Sequence, residues 1–539
     1  MFVGWTYLER KNMNNNLKRR DFFKVMGKGA ASAAALTIPA SLAAAATSTA
    51  STKQQGVPAD FRSPEMPLDA TAMAELVRHK KATPKELVQE AIYKIKQTNG
   101  EVNAVVAECY DIALQRAETI NPNSPFAGVP FLAKDCVDVE GLDSTLGSIL
   151  NKGRKPEHTS WFIQAAHNAG LNTIGMTNIP EMMTLGCTQN PLYGVTRNPW
   201  DLRKGVHSST GGGAAAVAAG YTPIVHSTDG GGSSRMPASA TGIFGYKPSR
   251  EQLITGLTNG STMEDFTHQS FMSRTVRDTA LAISVTENHT KDSFNTAYPR
   301  TPIGMVHTPL NRPIRVGVTM RDIYGRLPDE QTQAAIKSSV KLLEQLGHVV
   351  IEVDQPVADG EQFMLSYMGV FGNKMAQFAA QFDALGAPLE SMPDKVSENV
   401  TYLARTMQSR LQKNPNLYQE SKGQCEIFAV KHNREFFNNI DVWLTPCAQH
   451  SPQDISYFDQ KTLSGEEIWK RSEKLMSYTP VENVAGNPAM SVPLYWTADN
   501  MPVGSHFSAA RGNDRLLFEL AYQLEVARPW ANKRAPIFV

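Results

Sequence analysis

Ser208-Ser209-Thr210-Gly211-Gly212-Gly213-Ala214-Ala215-Ala216-Val217-Ala218-Ala219-Gly220 is followed, after a short apolar run, by Thr228-Asp229-Gly230-Gly231-Gly232-Ser233-Ser234-Arg235. Between residues 205 and 235 the chain carries eight glycines and eight serines or threonines. Two Gly/Ser clusters therefore flank one run of small side chains, and Ala214 to Ala219 predicts a helix between them. Consecutive glycines let neighbouring N–H groups turn toward a single point, a nest for a developing oxyanion. In Gly230-Gly231-Gly232-Ser233 such donors stand next to a hydroxyl that could act as a nucleophile. A tight structural turn has the same composition, so this cluster does not decide its own use.

A nucleophilic serine needs a base. His207 and His226 are close in sequence, but neither has an evident carboxylate to orient it, as a Ser-His-Asp arrangement requires. The Gly-x-Ser-x-Gly elbow is absent, because Ser234-Arg235 follows Ser233. Lysine is the other option. Lys134 ends the apolar run Val129 to Ala133, and burial lowers a lysine pKa and frees its lone pair. A structural Lys134–Asp135 ion pair fits the same residues, and on the residues alone the base stays open.

Outward from this tract, strand-like and helix-like segments alternate. Gly128 to Asp135 reads as a short buried strand, 160–169 as a helix and Leu171 to Gly175 as a strand. Ile314 to Val318 and His348 to Val353 read as strands, with a helix at Gln331 to Leu346 between them. This alternation predicts an α/β fold with at least part of the sheet parallel. Toward the N-terminal side, Ala70 to His79 has helical spacing. Thr83-Pro84-Lys85-Glu86 is a capping box that opens a second helix to about Thr98, with Leu87, Ala91 and Ile95 on one face. Residues 355–440 are poor in glycine and helical in pattern, a helical insert. Val442 to Leu444 and Met490 to Leu494 predict strands, and Leu516 to Glu525 a helix.

Composition narrows the function classes. The chain has 539 residues, 41% hydrophobic and 19% charged, enough for a large core. Its five cysteines, Cys109, Cys136, Cys187, Cys425 and Cys447, form no CxxC pair, and no zinc, EF-hand or Walker A spacing occurs. Gly211, Gly213 and Ala216 imitate a dinucleotide-binding fingerprint, but no apolar strand precedes them. Neither a metal nor any other cofactor is expected.

Lys18-Arg19-Arg20-Asp21-Phe22-Phe23-Lys24, then a weakly apolar stretch from about Ala30 to Ala46, resembles a twin-arginine export signal with a small-residue cleavage site near Ala44 to Ala46. The stretch is too short and small-sided for a membrane span, so the mature form is expected to have no stable span. The expected division is a signal over 1–46, a linker over 47–66 and a catalytic domain over 67–539. Removing 1–46 takes seven of the 53 Lys and Arg and two of the 52 Asp and Glu, leaving 46 basic against 50 acidic residues, net −4. That balance does not favour a nucleic-acid partner. The expected partners are the twin-arginine export machinery and a small-molecule amide.

The amide is implied by a resemblance. Gly128-Val129-Pro130-Phe131-Leu132-Ala133-Lys134-Asp135, Gly175-Met176-Thr177-Asn178-Ile179-Pro180-Glu181-Met182, Thr196-Arg197-Asn198-Pro199-Trp200, the two Gly/Ser clusters and Gly245-Tyr246-Lys247-Pro248 resemble, in order and spacing, the amidase signature family. Weaker resemblance runs from about residue 68 to Pro529. The resemblance implies one large α/β domain with a mixed central sheet covered by helices. It implies hydrolysis of carboxylic amides by a Ser-Ser-Lys triad: Ser233 as nucleophile, Ser209 as bridging serine after a cis Ser208–Ser209 bond, and Lys134 as base. It further implies an oxyanion hole from the N–H groups of Gly230, Gly231, Gly232 and Ser233, an acyl-enzyme on Ser233, and bracing by Ser208, Asp229 and Arg235. His207-Ser208, Thr210 and Gly230 depart from the family pattern, and this puts loop geometry and substrate fit in question.

Thr196 to Trp200, the early helices and Leu517 to Trp530 look most like the branch that opens 6-aminohexanoate cyclic dimers. The substrate pocket is expected from Met182, Cys187, His207, the 255–270 loop and the helical insert. Three alternatives remain. They are the amide-hydrolysing component of a tRNA-dependent amidotransferase, which export argues against; a fatty-acid amide hydrolase, for which no membrane-binding helix is evident; and a catalytically inactive exported binding protein.

Overall fold

The computed structural model describes residues 68–254, 266–289 and 301–539. The export-like segment 1–46, the linker 47–66 and residues 255–265 of the expected pocket loop lie outside the described residues. Residues 67–539 form a single compact unit.

Its frame is an eleven-stranded sheet. In chain order the strands are β1 (Val105–Glu108), β2 (Pro130–Lys134), β3 (Asn172–Thr177), β4 (Ile224–Asp229), β5 (Phe244–Lys247), β6 (His268–Ser273), β7 (Arg315–Val318), β8 (Val349–Glu352), β9 (Val442–Pro446), β10 (Ala489–Trp496) and β11 (Pro502–Ala509). Their spatial order is β1-β3-β2-β4-β6-β5-β10-β11-β9-β7-β8. Toward one edge β3, β2 and β4 run parallel, and toward the other β9, β7 and β8 do. The pairs between β4 and β9 are antiparallel. The helix Trp161–Asn168 carries the chain from β2 to β3, and Glu330–Gln345 carries it from β7 to β8. These are the helical crossovers that parallel neighbours need.

Every residue of β2, β3 and β4 is buried. Strands covered on both faces lose the in/out alternation of a half-solvated sheet. One covering layer is the small-residue helix, Gly211–Ala218, itself buried at every position. It packs with Val88, Ala91 and Ile95 of the helix Pro84–Val102 and with Leu132, Ile174 and Val225 of the sheet. This helix starts three residues before the expected Ala214. Glycine disfavours helix interiors, but side chains have no room here. A Cβ at Gly211 would stand 2.1 Å from Thr188 Oγ1, and one at Gly212 would stand 2.4 Å from Asn178 N.

The capping box is present: Thr83 N–H donates to Glu86 at 2.8 Å, and Glu86 N–H donates to Thr83 Oγ1 at 3.2 Å. The helix runs past Thr98 to Val102, where Asn103 turns left-handed at φ 54°. Its buried face is Val88, Ala91, Ile95 and Val102, with Leu87 at the margin. Residues 355–440 hold three α-helices, Gly360–Ala384, Glu398–Lys413 and Leu417–Glu435, which pack on one another. The first brings Tyr367, Met368 and Phe371 to a cleft beside the ends of β2 and β4. All five cysteines are free and buried. Among the described residues there is no cluster of three or more candidate metal ligands, and no helix is long and apolar enough to cross a membrane.

Candidate active site

Lys134 is the last residue of β2 and has no solvent exposure. Its Nζ lies 2.7 Å from Ser209 Oγ, 2.7 Å from Thr228 Oγ1 and 3.5 Å from the Thr228 carbonyl. Burial lowers its pKa to about 8; Cys136 and Asp229 oppose the shift. The histidines sit elsewhere. His226 Nδ1 accepts the Lys134 backbone N–H at 3.2 Å, and its Nε2 pairs with Gln269 Oε1 at 2.7 Å. Both ring nitrogens are thus engaged in the sheet, and burial pushes the pKa of His226 down to about 3.

Ser233 and Ser209 both line the cleft, Ser233 half-buried and Ser209 buried. The Ser208–Ser209 peptide bond is cis. Thr210 N–H donates to Ser233 O at 3.2 Å and ties the two Gly/Ser clusters together. Ser208 Oγ donates to the Leu185 carbonyl on the far side of its loop.

The loop after β4 is held by a buried ion pair. Arg235 Nη2 lies 2.8 Å from Asp229 Oδ1, with neither side chain exposed. Burial by itself raises a carboxyl pKa, but Arg235 and Asn483 more than offset this and hold Asp229 well below the usual range. Asp229 also accepts the N–H groups of Gly232 at 2.8 Å and Ser234 at 3.2 Å. Arg235 reaches Asn483 Oδ1 at 2.6 Å, His506 Nε2 at 2.9 Å and the Thr479 carbonyl at 3.1 Å. The carbonyls of Gly230 and Gly231 accept from Tyr367 OH at 3.0 Å and Thr479 Oγ1 at 2.6 Å. Gly232 has φ +120°, and a Cβ there would stand 2.1 Å from Thr479 Oγ1. Its backbone conformation and its packing both require glycine. Because Asp229 takes the Gly232 N–H, three nest donors are left, those of Gly230, Gly231 and Ser233. Among the described residues none of the three has a protein acceptor.

The remaining expected pocket residues divide. From the expected 255–270 loop Thr267 and Gln269 line the cleft, Gln269 from within β6, which already begins at His268, and from the insert Tyr367, Met368 and Phe371 do. Met183 lines it rather than Met182, which is turned inward and 1% exposed. Cys187 and His207 border a separate, smaller cavity with Gln453 and Phe458. They pair there across an antiparallel bridge, which turns both away from the cleft. Thr228, Tyr367, Thr479, Asn483 and His506 also belong to the site, although no sequence expectation named them as site residues. Thr228 adjoins Asp229 within the second cluster, and that adjacency is a signal that could have found it. Tyr367 lies in the helical insert expected to line the pocket, although nothing local singles it out; Thr479, Asn483 and His506 lie farther along the chain and carry no local signal.

Polar groups of this kind, gathered where strands end under an apolar cleft, suit acyl-group chemistry, and the relatives specify it: the chain is a hydrolase acting on amide bonds. It belongs to the amidase family, whose model, described as Amidase, matches residues 86–518. It is 30% identical over 482 residues to a 6-aminohexanoate-cyclic-dimer hydrolase of Pseudomonas sp. (strain NK87), covering 86% of this chain and 96% of that one. It is 30% identical over 480 residues to a lipoamidase of Enterococcus faecalis, covering 85% of this chain and 63% of that one. A 6-aminohexanoate cyclic dimer hydrolase solved with its substrate superposes with TM-score 0.79 at 30% identity, over 88% of this chain and 99% of that one. A bacterial aryl acylamidase shares the fold, with TM-score 0.74 at 24% identity over 87% of this chain and 98% of that one.

Proposed function

We propose that this enzyme hydrolyses a linear or cyclic carboxylic amide through a Ser233 acyl-enzyme, with Ser209 as proton relay and Lys134 as base. The observation that carries the reading is the contact of Lys134 Nζ with Ser209 Oγ at 2.7 Å, made by a lysine whose burial lowers its pKa to about 8. A neutral amine has one lone pair and two N–H bonds. If Ser209 O–H donates into the lone pair, Thr228 Oγ1 and the Thr228 carbonyl are in place for the two N–H bonds. Thr228 then aims the lone pair at Ser209.

Ser233 Oγ attacks the carbonyl carbon and its proton passes through Ser209 to Lys134. The N–H groups of Gly230, Gly231 and Ser233 receive the oxyanion, while Gly232 contributes through its backbone shape rather than its N–H. The ammonium of Lys134 returns the proton through Ser209 to the leaving amine. Water, activated by the same relay, then releases the acid. Asp229, Arg235 and Ser208 hold the two loops in register. These steps balance without a cofactor.

A serine-directed fluorophosphonate should label the wild type, and Ser233→Ala should abolish both labelling and turnover. Hydrolysis that persists in Ser233→Ala overturns the assignment.

We propose further that the chain is exported by the twin-arginine route, on the strength of Arg19-Arg20 before Phe22-Phe23 and the Ala30 to Ala46 stretch. Arg19→Lys with Arg20→Lys should retain the protein in the cytoplasm. Undiminished export of that double variant overturns the proposal.

A further inference from the structure

The walls of the cleft bear on what enters it. Its apolar side is formed by Leu185, Met236, Met368, Phe371, Trp469 and Met476. Two of these stand at the nest itself: a methyl group added at Gly232 would come within 3.2 Å of Met236 Cγ, and one added at Gly231 within 3.5 Å of Met476 Cε. The polar groups in the lining are neutral ones such as Thr184, Thr267 and Gln269. Among the described residues no Asp, Glu, Lys, Arg or His lines the cleft. Among the described residues the charges beside Ser209 and Ser233 are out of a ligand's reach, since Lys134 is wholly buried and Asp229 and Arg235 are closed on each other.

A carboxylate or ammonium brought into such a wall loses its water and meets no counter-charge among the described residues, which disfavours binding strongly. An alkyl chain loses nothing of the kind and gains by leaving water. The four methionines in the wall, Met183, Met236, Met368 and Met476, are unbranched and flexible, so they can fit chains of different shape. We infer that the cleft selects amides uncharged and apolar on both flanks of the scissile bond, and rejects those carrying a carboxylate or an ammonium a few carbons away. The inference rests on the Ser233 reading above and narrows it to a substrate class.

Four matched amides test it: N-butylhexanamide, its analogues with a terminal carboxylate or a terminal ammonium on the acyl chain, and N-hexanoyl-β-alanine. With the wild type, kcat/KM for the neutral amide should exceed that of each charged one by at least about 100-fold, the scale set by burying an unpartnered charge. A charged member within about tenfold of the neutral one overturns the inference. If turnover is too slow to rank, calorimetric binding to Ser233→Ala should give the same order, and equal affinity for neutral and charged members overturns it. Met476→Arg supplies a gain of function. Met476 is half-buried at the C-terminal cap of the helix Gly465–Leu475, a position that favours a cation. This change should raise kcat/KM for the acyl-chain carboxylate by at least about tenfold relative to the neutral amide. No gain in a variant with wild-type unfolding temperature counts against the inference. Turnover of the neutral amide by Ser233→Ala would instead remove the nucleophile assignment and leave the ranking standing.

Discussion

Replacing Thr228 with valine should change how the activity depends on pH. On the proposed mechanism the base in the wild type is the neutral amine of Lys134. Burial lowers its pKa from 10.5 to about 8, so the active form is gained as pH rises through about 8. At pH 7 about one-tenth of the molecules, and at pH 6 about one-hundredth, would have the free amine. The logarithm of kcat/KM should therefore climb with unit slope from pH 6 and level off above about pH 8. Thr228 Oγ1, 2.7 Å from Nζ, accepts an N–H bond and stabilises the ammonium more than the amine. Valine has the same shape and no acceptor. The inflection should move to lower pH, and the plateau should fall by about 10- to 100-fold because the lone pair is no longer held toward Ser209; hydrogen bonds to a charged group are worth about 1.5–3 kcal/mol. The assay is kcat/KM for one chromogenic amide across pH 5.5 to 10 at constant ionic strength. A wild-type profile flat between pH 6 and 8 refutes lysine as the base. An unmoved inflection and unchanged plateau in Thr228→Val refute the orienting role.

Arg235→Ala leaves Asp229 buried without its cation and should lower unfolding free energy by about 3–5 kcal/mol; a urea titration reads it, and a loss below about 1 kcal/mol contradicts the pairing. Gly232→Ala places a side chain at φ +120° and 2.1 Å from Thr479 Oγ1. It should cost at least about 100-fold in kcat by displacing the neighbouring nest donors, and kcat within threefold of wild type would show that the loop tolerates the change. Tyr367→Phe removes the donor to the Gly230 carbonyl and should lower kcat by about fivefold, the worth of about 1 kcal/mol, with KM little changed. A change confined to KM would assign Tyr367 to substrate contact instead.

The parts of this molecule that the sequence made legible are those whose signal is local. The capping box at Thr83 and Glu86, the run into Lys134 and the two Gly/Ser clusters each occupy a few adjacent residues, and each lies where its pattern suggests. The strands β4, β5, β6 and β11 show no in/out alternation, because they are buried on both faces and each mixes apolar residues with polar ones or glycine. His226, Ser227 and Thr228 in β4 and Ser505, His506 and Ser508 in β11 are buried polar residues with partners in the sheet, in loops or in the covering helices, so no alternation marks them. Glycine content hid the first turn of the helix Gly211–Ala218, where close packing overrides propensity. Lys134 and Ser209 are 75 positions apart, and no periodicity links them; their pairing could be expected only from the family resemblance. Cys187 and His207 were near the right loops, but their orientation depends on an antiparallel bridge that a linear reading does not contain.

The Arg235 hub has a temporal side. Its guanidinium is bound by groups from Thr479, Asn483 and His506, and Asn483 also donates to the Asp229 carbonyl at 2.9 Å. A chain emerging from the ribosome exposes Lys134, Ser209 and Ser233 hundreds of residues before these partners exist. During synthesis Ser233, the proposed nucleophile, is therefore present while its cradle is still incomplete. The cradle can assemble only once the residues up to His506 have been made, so on the proposed mechanism competence is withheld from shorter nascent fragments by the order in which the residues are made.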